Sequence, residues 1–404
     1  MKIARSLFAL SLLVSPLIGN PALAADSGGP LPDNPTFSTL VTTPLLIEGM
    51  TGDNRGNLYM PGRMAGIGVA CPVWRVDSNS SSPKLVVVGT IPTSSPTTQC
   101  APLGLAFDRE GRLNVTESDR IYRFLPDATT PPVATLFATG VPGANGVAFD
   151  RDGNLWASDG TTGRGRVWRI DTAGAVAEMF RIPPMANEVN LDAGGVGGVG
   201  RDVRGLPPGT ITVTPLTRNA ANTLGSQPLV ANGLAFEESG DLIVADTARG
   251  ALWKVTIDRH GNVKSSTGCD TTFTANTLCL ENVLVAHPLL EGADGIALDQ
   301  AGNVWVDANE RNAIVFVDKN GKDVREVFRN APNATTRLRN TGPLEFNTSP
   351  VFLDRKFCTA NLDAARRDNV PTTAGEIGGP GQNVGKISCM DQRLSIPGAD
   401  LPVR

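Results

Sequence analysis

The chain has 404 residues, 41% hydrophobic and 19% charged, with 44 Gly, 30 Pro and only 2 His. That hydrophobic fraction supports a large core and excludes disorder for most of the chain. With 36 Lys and Arg against 40 Asp and Glu the net charge is −4, which argues against nucleic acid as a partner, and two histidines exclude a His-rich zinc site.

From the N-terminus, Lys2 and Arg5 precede the apolar run Leu7 to Ile18, and Pro21 and Ala22-Leu23-Ala24 follow. A basic start, a short apolar stretch and a small-x-small end predict a secretory signal peptide over residues 1–24. Its removal leaves 34 basic and 40 acidic residues, a charge of −6. No later segment is apolar enough to span a membrane, so the mature protein is expected to be periplasmic or secreted.

Five stretches then align on one glycine: Glu48 opens EGMTGDNRGNLYMPG, Leu103 LGLAFDREGRLNVTE, Asn145 NGVAFDRDGNLWASD, Asn232 NGLAFEESGDLIVAD and Asp294 DGIALDQAGNVWVDA. Each has Gly after the opener, an acid five after it (Asp53, Asp108, Asp150, Glu237, Asp299) and Gly eight after it. Ser349 opens a sixth, degenerate copy that keeps the acid, Asp354, and neither glycine. An apolar strand, a polar turn ending in Gly and a second strand make a β-hairpin. A third strand often follows, as in Arg166 to Ile170 and Ala251 to Val255. Opener spacings of 55, 42, 87, 62 and 55 residues fit blades of roughly 40–50 residues plus loops. The long interval carries a Gly/Pro-rich insertion at about 185–230, with Gly194-Gly195-Val196-Gly197-Gly198 at its centre, which cannot form a blade of its own. Six copies and no helical period predict an all-β, six-bladed β-propeller, a single domain over residues 25–404.

The six cysteines, Cys71, Cys100, Cys269, Cys279, Cys358 and Cys389, form no CxxC and in an oxidising compartment imply up to three disulfides. Neighbour pairing is the simplest of 15 connectivities. Of the histidines, His260 sits in the polar turn Asp258 to Asn262, and His287 lies seven residues before Asp294, where a proton-shuttle role is open to it. Glu117, Asp159 and Asp246, each fourteen after an opener, read as blade-stabilising hydrogen-bond acceptors. Arg164 and Arg166, in a Gly-rich turn, read as a solvated loop.

If the first strand of each copy is innermost, the openers converge near one mouth of the central channel. Glu48, Asn145, Asn232 and Asp294 then offer two carboxylates and two amide oxygens, a ligand set for a hard cation, calcium first. Magnesium, manganese or zinc are the alternatives, although the absence of soft or imidazole donors argues against zinc and copper. Asn-Gly and Asp-Gly are also common turn pairs, so any single opener taken alone reads first as turn chemistry. The recurrence at one register is what favours a ring of ligands.

At these residues the pattern resembles the senescence marker protein-30/gluconolactonase/luciferin-regenerating-enzyme family. The resemblance spans roughly residues 44–180 and 228–362. It implies a six-bladed propeller with a divalent metal in the channel, held by Glu48, Asn145, Asn232 and Asp294, with Asp294 as general base or nucleophile. The chain departs from many members at Gly146, where they carry an acid, at Gly143, where sugar lactonases carry an arginine, and at Ala297, where a fluorophosphatase relative of the family carries an acid. The expected reaction is hydrolysis of a small-molecule lactone or related ester. The alternatives are a non-catalytic propeller scaffold and a strictosidine-synthase-like enzyme.

Overall fold

The computed structural model describes residues 31–184, 229–332, 334, 339, 342–362 and 384–401. The signal peptide expected at 1–24, and all but the last two residues of the insertion expected at 185–230, lie outside these.

In three copies the hairpin folds around its turn acid and an aromatic. Asp150 Oδ1 accepts the backbone N–H groups of Asp152 and Asn154, both at 2.9 Å, while Oδ2 accepts Trp156 Nε1 at 2.9 Å. Asp299 repeats this with Ala301, Asn303 and Trp305, and Asp53 does so with Arg55, Asn57 and the Tyr59 hydroxyl. One carboxylate thus closes the turn and ties it to an aromatic of the second strand. The glycine eight after the opener ends the turn at positive φ, from 79 to 94° in all five copies, which favours a residue without Cβ. The degenerate copy lacks this turn: Leu353 pairs with Lys356 across Asp354 and Arg355, and Asp354 takes φ 55° itself.

The hairpins extend into six antiparallel sheets, five of four strands and a first in which two short pieces, Leu46–Ile47 and Thr51–Gly52, share the partner strand Asn57–Arg63. Blade 2 runs Pro102–Phe107, Leu113–Glu117, Arg120–Phe124, Thr135–Thr139 in order. Blades 3, 4 and 5 start at Ala144–Phe149, Leu234–Phe236 and Ala293–Leu298 and repeat the meander. Among the described residues helix is limited to three single 3₁₀ turns. The fold is the predicted all-β six-bladed propeller.

Blade 6 closes the ring. Its strands are Asn347–Leu353, Lys356–Asn361 and Gly385–Met390, and its outermost strand is Phe37–Thr43 from the other end of the chain. Ser38 Oγ on that strand donates to Asp391 at 2.6 Å across 353 residues of sequence.

The second strands of blades 2 to 5, such as Leu155–Asp159 and Leu242–Asp246, are buried at every residue, because neighbouring blades cover both of their faces. The core therefore lies between blades. Trp156, Val167, Phe180, Val244 and Trp253 fill the space between blades 3 and 4. Trp305 packs at 5.3–5.7 Å from Phe316, Phe352 and Phe357 between blades 5 and 6. The cysteines pair as neighbours: Cys71–Cys100, Cys269–Cys279 and Cys358–Cys389.

Candidate functional site

The glycine after each opener is where the inner strands touch. A Cβ on Gly49 would meet the Leu103 carbonyl, on Gly104 that of Asn145, on Gly146 that of Asn232 and on Gly233 that of Asp294, all at under 3.0 Å. Opener carbonyls also take donors from the preceding blade: Asn145 O from Thr116 Oγ1 at 3.4 Å, Asn232 O from Ser158 Oγ and Asp294 O from Gly233 N at 3.0 Å. The circle closes where Thr348 Oγ1 donates to Glu48 O at 2.7 Å. Each opener backbone is therefore fixed by its neighbour, and the openers share one level of the channel.

The sixth member of that circle is Thr348 rather than Ser349. The Gly295 Cβ position points at the Thr348 carbonyl, with Ser349 Cα where the other copies place their glycine. A register shift brackets the opener in four blades, between Pro102 and Leu105, Ala144 and Val147, Ala293 and Ile296, and Asn347 and Ser349. Such bulges re-aim side chains. The aligned acid Asp354 set the sequence register one residue late, because the degenerate copy has a shorter turn.

Glu48, Asn145, Asn232 and Asp294 are buried, with 9, 6, 3 and 5% exposure. Asn145, Asn232 and Asp294 line one cavity of about 80 Å³ inside the channel, and Asn145 Nδ2 donates to Glu48 Oε1 at 3.1 Å. The four residues are thus one cluster. Both carboxamides have their orientation forced. Glu48 can only accept, so Asn145 must turn Nδ2 to it. Thr247 Oγ1 gives its proton to Ala293 O at 2.7 Å, so toward Asn232 Nδ2, at 3.1 Å, it can only accept. Each Asn is left with Oδ1, which takes no donor among the described residues. Two carboxylates and two such carbonyl oxygens are the donor chemistry of a hard cation.

A second column stands behind the openers, fifteen residues after each. Arg63 forms an ion pair with Glu48 Oε2, Gly160 packs against the Asn145 side chain, Thr247 holds Asn232, and Asn309 Nδ2 donates to Asp294 Oδ2 at 2.7 Å. Sequence reasoning stopped one residue short, on the column at fourteen, because acids are conspicuous there. Its members are structural acceptors, as expected. Asp159 takes Arg166 Nε at 2.9 Å and the Thr162 amide at 3.0 Å; Asp246 takes Arg249 Nη1 at 2.8 Å and Trp253 Nε1 at 3.0 Å. Burial pushes the Asp159 and Glu117 carboxyls up. Arg166 is therefore not a solvated loop residue: it begins the strand Arg166–Ile170 with its side chain 11% exposed against Asp159. His260 is exposed. His287 caps the 3₁₀ turn Pro288–Leu290, its Nδ1 accepting Leu289 N at 3.1 Å, and burial and the nearby Arg311 push its pKa down.

A ring of six blades with carboxylates and carboxamides gathered at its axis defines a six-bladed propeller with an axial polar site. The chain belongs to the family described as SMP-30/Gluconolactonase/LRE-like region, which matches residues 73–338; the match takes in Asn145, Asn232 and Asp294 and begins after Glu48. Among solved structures, a luciferin-regenerating enzyme is similar at 12% identity and TM-score 0.55, with 91% of this chain and 99% of that one covered. A calcium-binding protein, regucalcin, from Agrobacterium tumefaciens is similar at 17% identity and TM-score 0.51, covering 90% and 96%. The PQQ-bound aldose sugar dehydrogenase of Streptomyces coelicolor matches at 16% and 0.51, covering 89% and 100%. At such identities the likeness is of fold alone. No curated protein matches the chain.

Proposed function

We propose that this protein is a divalent-metal-dependent hydrolase of a lactone or related ester, with calcium the first expectation. Glu48, Asn145, Asn232 and Asp294 would hold the ion. The observation that carries the reading is the pair of carboxamides that spend their N–H groups on Glu48 and Thr247 and keep Oδ1 for the channel. Family membership supports a lactonase-type hydrolase in general terms. When bound, the ion supplies Lewis-acid polarisation of a carbonyl and charge for the developing oxyanion. The chain's own part is positional and basic. Asp294 takes the proton of the attacking water, and Asn309 holds its carboxylate in place through Oδ2. The cavity of about 80 Å³ has room for an ion and a few waters, so the substrate body would rest above it. Three paired disulfides and the leader-like start of the sequence support an exported protein.

Calorimetry with calcium on chelator-treated protein tests the reading first, followed by turnover of lactones, aryl esters and phosphotriesters. Failure to bind calcium, magnesium, manganese or zinc would leave the non-catalytic scaffold in front. Asp294→Asn should reduce turnover ~100-fold or more with an unchanged circular dichroism spectrum. Unchanged turnover would remove Asp294 from the role.

A further inference from the structure

The column fifteen after the openers holds one cation, and that cation sits on a proposed ligand. Arg63 and Glu48 pair with side chains only 14% and 11% exposed. With Asn145 Nδ2 on Oε1 and Arg63 Nη1 on Oε2, both oxygens of the Glu48 carboxylate already have donors. Arg63 itself is incompletely held: its Nε is buried and has no hydrogen-bond partner. Its strand, Asn57–Arg63, ends here, and the next residue, Met64, takes φ 59°. The guanidinium is thus tied on the ligand side by Glu48 and lies at the end of its strand.

We propose that Arg63 is a built-in competitor of the metal for Glu48, and so a residue that sets how tightly the channel binds a divalent cation. This rests on the reading of Glu48 as a ligand. The charge count gives the reason. Glu48, Asp294 and Arg63 together carry −1, a weak draw for a divalent ion, whereas the two carboxylates without Arg63 carry −2. Binding an ion against Glu48 means either turning the guanidinium aside or tolerating it beside a like charge. The opposite role is equally definite in its consequences. If Arg63 merely oriented Glu48 for the ion, as outer-shell partners commonly do, its removal would weaken binding.

The sign of one measurement therefore decides. Calcium affinity would be measured by calorimetry on the chelator-treated full chain for the native protein, Arg63→Gln and Arg63→Lys, with melting temperatures in chelator and in calcium. Arg63→Gln should bind calcium at least about tenfold more tightly. It should also melt lower than the native protein in chelator, where Glu48 loses its counter-ion, and gain more from calcium. Arg63→Lys, with a shorter reach and a single-point charge, should fall between the two. Native binding with equal or weaker affinity in Arg63→Gln overturns the competition and leaves the metal reading standing. Absence of calcium, magnesium, manganese and zinc binding in both proteins overturns the two together. If Arg63→Gln does not fold even in excess calcium, Arg63→Lys decides alone: tighter binding than native supports the proposal, and equal or weaker binding overturns it.

Discussion

Asp307 is fully buried and accepts two hydrogen bonds, from Thr359 Oγ1 at 2.5 Å and Asn347 Nδ2 at 2.9 Å, with no cation beside it among the described residues. Burial pushes its pKa up to about 7. The folded protein therefore holds a proton that the unfolded chain, with an ordinary carboxyl, gives up near pH 4. Between these values the folded state binds more protons, so stability falls as pH rises from about 4 through about 7 and is flat above. Asp307→Asn should remove that slope and stabilise the protein at pH 8 by up to ~4 kcal/mol, as read by urea unfolding at pH 5 and pH 8. An unchanged slope would assign the proton elsewhere. At this level the sequence was readable where residue types recur at a fixed place. The ring openers Glu48, Asn145, Asn232 and Asp294 stood out because similar side chains repeat. Arg63, Gly160, Thr247 and Asn309 did not, because a cation, a glycine, a hydroxyl and an amide share only a position, and that shared position has meaning only once the hairpin brings it beside the opener.

The inner strands owe their spacing to missing side chains. Gly233 faces the Asp294 carbonyl and the Gly295 Cα, so a methyl there has nowhere to go except by pushing blade 5 outward. Gly302 has positive φ but open space, its nearest neighbour being Lys319 Cβ at 3.8 Å. Gly233→Ala should therefore cost about 3 kcal/mol or more, and Gly302→Ala only ~1–2 kcal/mol of backbone strain. Thermal melts of the two variants compare them; equal losses would mean that blade spacing has slack. The turns of the five regular copies were legible, since an acid and a glycine at positive φ are local chemistry. The sixth copy was misaligned by one residue because its turn is built differently, with Asp354 at the bend instead of capping it. The blade-closing strand Phe37–Thr43 was invisible for a different reason: as an outer strand it is buried only at its two end residues and carries neither opener nor turn motif.

Blade 6, which closes the ring with that strand, is stapled within by one disulfide. Cys358–Cys389 joins the two strands of blade 6 on either side of residues 363–383 and closes a separation of 31 residues. Replacing both cysteines with serine should cost about 3–4 kcal/mol in urea unfolding by the chain-entropy estimate. Replacing Cys269 and Cys279, only 10 apart, should cost less, because the shorter loop constrains the unfolded chain less. Equal effects would show that loop length in the unfolded chain does not set the stabilisation. Six copies were enough to predict six blades, but nothing in a repeat says which end of the chain completes the circle. The answer fixes an order of events during synthesis. The strand Phe37–Thr43 is made more than 340 residues before its partner Gly385–Met390. Until then the growing chain carries an unpaired edge at its beginning. The ring cannot close before Gly385–Met390 has been made, and anything that must handle this protein before it folds has the whole interval between the two strands in which to do so.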